Sequence, residues 1–269
     1  MDLAGTVAVI TGGGGGIGAA LAAVLAPVCR AVVVADIDMP AATATATALN
    51  AKGFTASAYH VDVTDETQVQ ALIADAISRY GQVDVMVSNA GIATGQGVTA
   101  SATTWQRAYA VNVLAHVYAA NACLPGMRAR GYGALVQMVS AAALTTMIGD
   151  APYTVSKHAA LGLAEWLAVT YGSEGIQVSA VCPQGVETRL LQEQTGELGG
   201  QVVRAAGDVL SPETVAQVVF DGVSAGTFLI LPHPDVAVYA QAKATDPQRW
   251  INSMQRFQAS FLPGRADTP

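Results

Sequence analysis

Tyr153 and Lys157 stand four positions apart in a 269-residue chain, in a stretch that reads as the start of a helix. At that spacing two side chains share one helix face within a single turn. A phenol beside an ammonium is an acid/base pair. Free tyrosine has a pKa near 10, too high for proton exchange at neutral pH, and a neighbouring positive charge favours the phenolate. Bringing that pKa to neutrality takes about 4 kcal/mol of differential stabilisation, which a charge pair in a partly dry cleft supplies. The spacing alone is weak evidence, because such pairs arise often on solvated helices. Ser140 stands 13 residues before Tyr153. A second constellation lies near the N-terminus, in Thr11-Gly12-Gly13-Gly14-Gly15-Gly16-Ile17-Gly18. Glycines there let the backbone turn tightly and approach a phosphate; a flexible linker is the plain alternative. Asp36 follows Gly18 by 18 positions. A carboxylate at about that distance accepts from the adenosine ribose hydroxyls of a dinucleotide and repels a 2′-phosphate, or else it caps the loop before Met39 and Pro40.

These residues need elements to hold them. Residues 7–11 form an apolar run ending at the glycines, and residues 17–26 read as the helix that follows. That context favours the phosphate reading over the linker. Short strand-like runs at 31–36, 55–61, 83–88, 134–140, 176–182 and 228–231 then alternate with helical stretches at 40–52, 65–80, 103–130, 152–171 and 211–222. Strand and helix in alternation build an α/β fold of Rossmann type: a doubly wound parallel sheet of about seven strands with helices on both faces. The whole chain, 1–269, reads as one domain. After about residue 235 the rhythm is lost, and residues 263–269 read as a loose tail.

With the strands placed, Ser140 ends the fifth of them, at the carboxyl edge where such sheets bind ligands. The chain now resembles the classical branch of the short-chain dehydrogenase/reductase family. The glycine motif matches at Thr11, Gly12, Gly16, Ile17 and Gly18; an acidic motif after the third strand matches at Asp62 and Val63; an Asn-Ala-Gly motif matches at Asn89, Ala90 and Gly91. The family's catalytic tetrad falls on Asn112, Ser140, Tyr153 and Lys157, and the likeness covers about residues 5–231. The resemblance implies that Tyr153 exchanges a proton with the substrate oxygen while hydride moves to or from nicotinamide. It implies that Ser140 orients the carbonyl, and that Lys157 lowers the tyrosine pKa and grips the nicotinamide ribose. It further implies that Asp62 binds adenine and that Asn112 holds a water leading from Lys157. Read without the other three, Asn112 is a polar residue facing outward. One motif departs from the family: Pro183 and Thr188 are in place, but Gln184 replaces the usual glycine and Gly185 follows it. The backbone of Val186 is expected to reach the nicotinamide carboxamide, with Thr188 assisting. Gln184 either projects into the pocket or simply tolerates the turn. Asp36, with no arginine or lysine in the glycine loop or at Ile37, makes NAD the expected cofactor.

The substrate side is apolar. Ala141 and Met147 after Ser140, with Gln184 and Leu190, are candidate contacts for a small, fairly apolar secondary alcohol or ketone. Residues 188–210 are the expected lid, and 232–269 a C-terminal extension in which Trp250, Met254 and Phe257 recur at helical spacing. His233, between two prolines, reads as structural. The formal charge of −7 opposes a nucleic-acid or anionic-membrane partner, and no apolar stretch approaches the ~20 residues of a bilayer span. Three widely spaced cysteines without a CxxC pair suggest neither a metal site nor a disulfide framework; with no basic leader at the N-terminus, a cytoplasmic location is expected. The resemblance implies a homotetramer joined through the helices at 103–130 and 152–171. Three rivals are weaker. An NADPH-dependent 3-oxoacyl reductase wants a basic residue where Asp36 stands. A catalytically silent NAD-binding sensor has no use for an intact tetrad, and a methyltransferase has none for the serine, tyrosine and lysine.

Overall fold

The computed structural model describes residues 1–193 and 197–262. Seven parallel strands form one sheet in the order β3-β2-β1-β4-β5-β6-β7: β1 (Val7–Thr11), β2 (Ala31–Asp36), β3 (Ala56–His60), β4 (Val85–Ser88), β5 (Gly133–Met138), β6 (Ile176–Val181) and β7 (Leu229–Ile230). Strands β1, β4 and β5 are buried along their whole length, which explains why each is mostly apolar without alternation, Gln137 in β5 being the exception. One core forms where α3 (Glu66–Tyr80), α5 (Ala115–Arg130) and α6 (Ala151–Tyr171) cover one face of the sheet; Val9, Val33, Met86 and Leu135 point into it. On the other face α1 (Gly16–Leu25), α2 (Met39–Asn50) and α9 (Pro212–Ser224) pack over Ala8, Ile10, Val32 and Val34. The sheet is thus doubly wound, with its crossover between β1 and β4 and the ligand crevice at the carboxyl ends there. Helix α2 forms despite its Ala-Thr repeat because Asp38 caps it and Ala42, Ala46 and Leu49 are buried.

The expected helix at 103–130 is interrupted. It divides into α4 (Ala102–Tyr109), a π-turn at Ala110–Leu114 and α5. Asn112 sits in the π-turn, where one extra residue re-aims the side chains, a common device at functional sites. Strand β5 closes at Met138, so Ser140 lies just beyond the sheet on a turn that opens a short 3₁₀ segment, Ala141–Ala143. Past residue 235 the strand–helix alternation ends, as expected: two successive helices, α10 (Asp235–Thr245) and α11 (Pro247–Ala259), follow β7 with no further strand among the described residues. Between β6 and α9 lie two short helices, α7 (Arg189–Glu193) and α8 (Leu198–Ala205), within the expected lid. Residues 194–196 of that lid and the expected tail at 263–269 lie outside the described residues.

Candidate active site

Helix α6 is anchored where its chemistry lies. Asp150, 1% exposed, caps it: its carboxylate accepts from the Tyr153 N–H (3.0 Å), from the Thr94 N–H and hydroxyl (both 2.6 Å) and from the Gly95 N–H (2.8 Å). Those bonds fix the first turn of α6 against the loop after β4. Asp-Ala-Pro just before Tyr153 is a helix-start signal that marks Asp150 in the sequence, although no catalytic motif includes it.

Tyr153 and Lys157 rise from that turn into a cavity of about 710 Å³ that Ser140 also lines. Lys157 is 3% exposed; its ammonium donates to the Met138 carbonyl at 2.9 Å and lies 5.6 Å from the Tyr153 ring centroid. Burial pulls the Lys157 pKa down to about 8. Burial also pushes Tyr153 up to about 12, with the Ser140 side chain acting downward and the Asp150 and Cys182 charges acting upward. The expected lowering of the tyrosine pKa is therefore not a property of the chain alone. Lys157 faces the ring and Met138, and its charge is weakened by its own desolvation. Ser140 is buried; its hydroxyl accepts from the Ala142 N–H at 3.1 Å.

Asn112 faces inward and is fully buried, contrary to the outward alternative. Its side chain accepts from the Ile92 N–H and donates to the Ile92 carbonyl, both at 2.9 Å, and donates to the Ser156 hydroxyl at 3.0 Å. It ties the loop after Asn89-Ala90-Gly91 to α6. Gly91 lies under this group: a Cβ there would come within 3.4 Å of Asn112 Oδ1 and 3.5 Å of Lys157 Nζ. A buried pair that sequence reasoning missed lies close by. His116 Nδ1 and Gln137 Oε1 are 2.6 Å apart, and burial, aided by the Lys157 charge, takes the His116 pKa to about 3.

The dinucleotide candidates converge on the same crevice. Gly12 and Gly16 adopt φ of +63° and +52°, the left-handed region that favours glycine, and both line the cavity with Ile17. Asn89 donates to the Thr11 and Gly12 carbonyls at 2.9 and 3.1 Å, holding the turn closed, while Ala90 and Gly91 line the cavity beside it. Gly18 packs behind the turn, against Asn89 and the Gly12 backbone. Asp36 holds the loop, as its second reading expects: its carboxylate accepts from the Gly14 N–H (2.8 Å) and the Asp38 N–H (3.0 Å), which sets it beside the glycines. Asp62 accepts from the Thr64 N–H and hydroxyl at 2.9 and 2.7 Å, and Val63 is buried beside it. Asp36, Asp62, Val63, Gly18 and Asn112 are not among the residues that line the cavity. A nicotinamide dinucleotide fits these residues. The first turn of α1 carries no side-chain cap, and a Cβ on Gly15 would meet nothing within 4 Å, so that helix end is open to an anion.

Opposite the glycines, the loop after β6 forms the other wall. Pro183, Gln184, Val186 and Thr188 all line the cavity, and Thr188 packs on Gly16. The Pro183 carbonyl accepts from the Ala141 N–H at 2.8 Å, coupling this loop to the Ser140 turn. Ala141, Met147 and Leu190 line the apolar side, joined by Trp250, Met254 and Phe257 from α11. The helical spacing of those three reflects one face of α11 turned onto the cavity. Lys243 of α10 clamps this roof by donating to the Leu144 and Thr145 carbonyls at 3.1 and 2.9 Å. No group of His, Cys, Asp and Glu among the described residues is arranged to hold a metal ion, and no helix among them is long and apolar enough to cross a membrane.

Comparison with known proteins agrees with this geometry. The family model for short chain dehydrogenases matches residues 6–219. The chain is 33% identical over 257 residues to the 1-deoxy-11-beta-hydroxypentalenate dehydrogenase of Streptomyces exfoliatus, covering 94% of this chain and 92% of the relative. It is 32% identical over 229 residues to the cis-4-hydroxycyclohexanecarboxylate dehydrogenase of Sinomonas cyclohexanicum, covering 83% and 92%. A solved short chain dehydrogenase/reductase from Burkholderia phymatum, in complex with NAD, superposes with a TM-score of 0.85 at 27% identity, covering 93% of this chain and 96% of that one. This chain belongs to the short-chain dehydrogenase family and is an oxidoreductase acting on alcohols.

Proposed function

We propose that this chain transfers hydride between NAD and an uncharged, largely apolar secondary alcohol or ketone, with Tyr153 as general acid/base. The observation that carries the proposal is that Tyr153, Ser140 and Lys157 line the same cavity as the glycine turn. When bound, the oxidised nicotinamide supplies a hydride acceptor and a positive charge beside the phenol. Ser140 donates to the substrate oxygen and holds it near the Tyr153 hydroxyl. In oxidation, Tyr153 takes the hydroxyl proton; in reduction it returns one. Lys157 binds the nicotinamide ribose, leaving Met138 to do so, and its ammonium then favours the phenolate. Asn112, by fixing Ile92 and α6, positions Lys157 and lies on the route by which a proton reaches solvent. Pro183, Val186 and Thr188 hold the carboxamide end, and Asp62 the adenine.

NAD is favoured over NADP because the Asp36 carboxylate stands beside the glycine loop and Asp38 adds a second negative charge nearby. The apolar roof of Trp250, Met254 and Phe257, together with Ala141, Met147 and Leu190, favours a carbocyclic skeleton; the hydroxycyclohexanecarboxylate named for one relative shares the ring but adds a carboxylate that this reading does not require. Gln184 is the polar group proposed to orient it. The lid is residues 188–210. A cytoplasmic, homotetrameric protein is part of the same reading; free cysteines at 29, 123 and 182 suit a reducing compartment.

The test is a rate assay over a panel of cyclic and linear secondary alcohols and ketones, with NAD(H) and NADP(H) compared by nicotinamide absorbance. Turnover is expected to favour NAD and cyclic apolar substrates. The double variant D36A/I37R is expected to move the kcat/KM ratio towards NADP by about two orders of magnitude, or ~2.7 kcal/mol. A wild-type preference for NADP would overturn the Asp36 argument and promote the NADPH-dependent reductase reading. Tight NAD binding with no turnover across the panel would favour the sensor.

A further inference from the structure

His233 lies between β7 and α10, 6% exposed, with both ring nitrogens engaged by the loop whose sequence departs from the family pattern. Nδ1 is 3.1 Å from the Gln184 backbone nitrogen, and Nε2 is 3.0 Å from the Gly185 carbonyl oxygen. The two backbone groups dictate the protonation state. An amide N–H only donates, so Nδ1 must accept and carry no proton. A carbonyl only accepts, so Nε2 must carry the proton and donate. Only the neutral Nε2–H tautomer satisfies both contacts, and an imidazolium would turn an N–H onto the Gln184 N–H.

The position of this contact gives it leverage. The Gly185 carbonyl also accepts from the Leu210 N–H at 3.0 Å, and the Glu187 N–H donates to the Leu210 carbonyl at 2.9 Å. Gln184 and Gly185 are thereby gripped from two sides, one residue before Val186. On the other side of the imidazole, the His233 carbonyl accepts from the Val236 N–H at 3.1 Å and begins α10, whose Lys243 clamps the roof. One ring thus joins the C-terminal cap to the wall opposite the glycine turn.

We infer that His233 is a positioning residue: its neutral imidazole holds Gln184 and Gly185, and through them Val186 and Thr188, in the arrangement that closes the cofactor end of the cavity. The inference rests on the reading of that loop as the nicotinamide-binding wall. It accounts for the glycine displaced by one position: with Gln184 N–H bound to the ring, Gly185 occupies a place where a Cβ would come within 3.0 Å of Val203 and 3.3 Å of Val209. The charged groups that face His233 are Asp208, before Leu210, and Asp235, at the start of α10. Burial lowers the His233 pKa below its ordinary 6.5, while the Gly185 and Asp208 backbones and the two aspartates oppose that shift. The neutral form therefore prevails at neutral pH. Its hold on the loop is complete above 6.5 and is lost as pH falls through the lowered value.

The test combines three measurements on the full chain. Nitrogen-15 NMR of the histidines reads the His233 tautomer, amide hydrogen exchange reads Gln184 and Leu210, and fluorescence titration reads NADH binding, each followed as pH falls below 6.5. Wild type is expected to show the Nε2–H tautomer at neutral pH. As the ring protonates it is expected to lose protection at both amides, after correction for intrinsic exchange, and to bind NADH about tenfold more weakly. His233→Phe, which keeps the packing, is expected to show the weak binding at all pH values. His233→Asn keeps an acceptor for Gln184 and is expected to bind NADH with intermediate strength and no acid step. An Nδ1–H tautomer at neutral pH, or a His233→Phe protein with wild-type protection and NADH affinity, would overturn the inference. If the tautomer and the exchange coupling hold but neither wild type nor variants bind NADH, the staple stands and the cofactor reading fails.

Discussion

Burying the Lys157 ammonium against the Met138 carbonyl at 2.9 Å lowers its pKa to about 8 from 10.5, and the native state carries the consequence. A lowered folded-state pKa means that the unfolded chain binds the proton more readily. The contribution of Lys157 to stability is therefore present above pH 10.5 and is lost as pH falls through 8. At neutral pH the charged side chain costs on the order of 3 kcal/mol. Lys157→Met, similar in length and uncharged, is predicted to raise the unfolding temperature at neutral pH while abolishing turnover. That gain should shrink as pH approaches 10.5, as thermal unfolding across pH will check. Tyr153 has the opposite sign: with its pKa raised from 10 to about 12, it contributes stability below 10 that is lost as pH rises through 12. The four residues proposed as the tetrad could be marked in the sequence through the family's motifs, with Asn112 readable only beside the other three. Their electrostatics were not, since desolvation depends on neighbours brought in by the fold. His116 and Gln137 escaped for the same reason: only packing places them 2.6 Å apart beneath Lys157.

At the scale of the elements, strands were easier to read than the segments between them. Buried parallel strands read as apolar runs without alternation, so β1 and β4 announced themselves, as did β5 despite its buried Gln137. The π-turn at Ala110–Leu114 left no mark in Ala-Val-Asn-Val-Leu, because the bonds from Asn112 to Ile92 and Ser156 stabilise it, and those partners are distant in sequence. Helix α11 showed in the sequence as the helical spacing of Trp250, Met254 and Phe257, whereas α10 gave no such sign because its apolar residues are sparse. Asp150 is the element-scale residue with the largest predicted effect. Asp150→Ala leaves the Thr94, Gly95 and Tyr153 N–H groups without their acceptor, a loss on the order of 2–4 kcal/mol. Chemical denaturation is expected to register that loss, and kcat is expected to fall as Tyr153 loses its fixed helix end. An Asp150→Ala protein as stable as wild type would show that the cap does not anchor α6.

On the whole molecule, the outer face of α6 carries Val155, Trp166 and Val169 at 52%, 57% and 85% exposure. They recur at spacings that place them on one helical stripe, with Gly162 between them. An apolar stripe of this kind on a folded chain is a candidate association surface. The proposed homotetramer uses it: W166E/V169E is predicted to dissociate the assembly, read by sedimentation at micromolar concentration, while leaving the monomer folded by circular dichroism. A wild type that sediments as a monomer would contradict that assembly.

The central claim joins hydride transfer to a proton carried by Tyr153, and deuterium tests both parts together. A cyclic secondary alcohol labelled at its carbinol carbon would be incubated with NAD and either wild type or Tyr153→Phe, and the reduced cofactor examined by mass spectrometry. The account predicts that wild type places the label directly on nicotinamide. Tyr153→Phe should bind NADH as wild type does yet transfer label about a thousandfold more slowly. Label lost to solvent, or transfer by Tyr153→Phe at the wild-type rate, would contradict it.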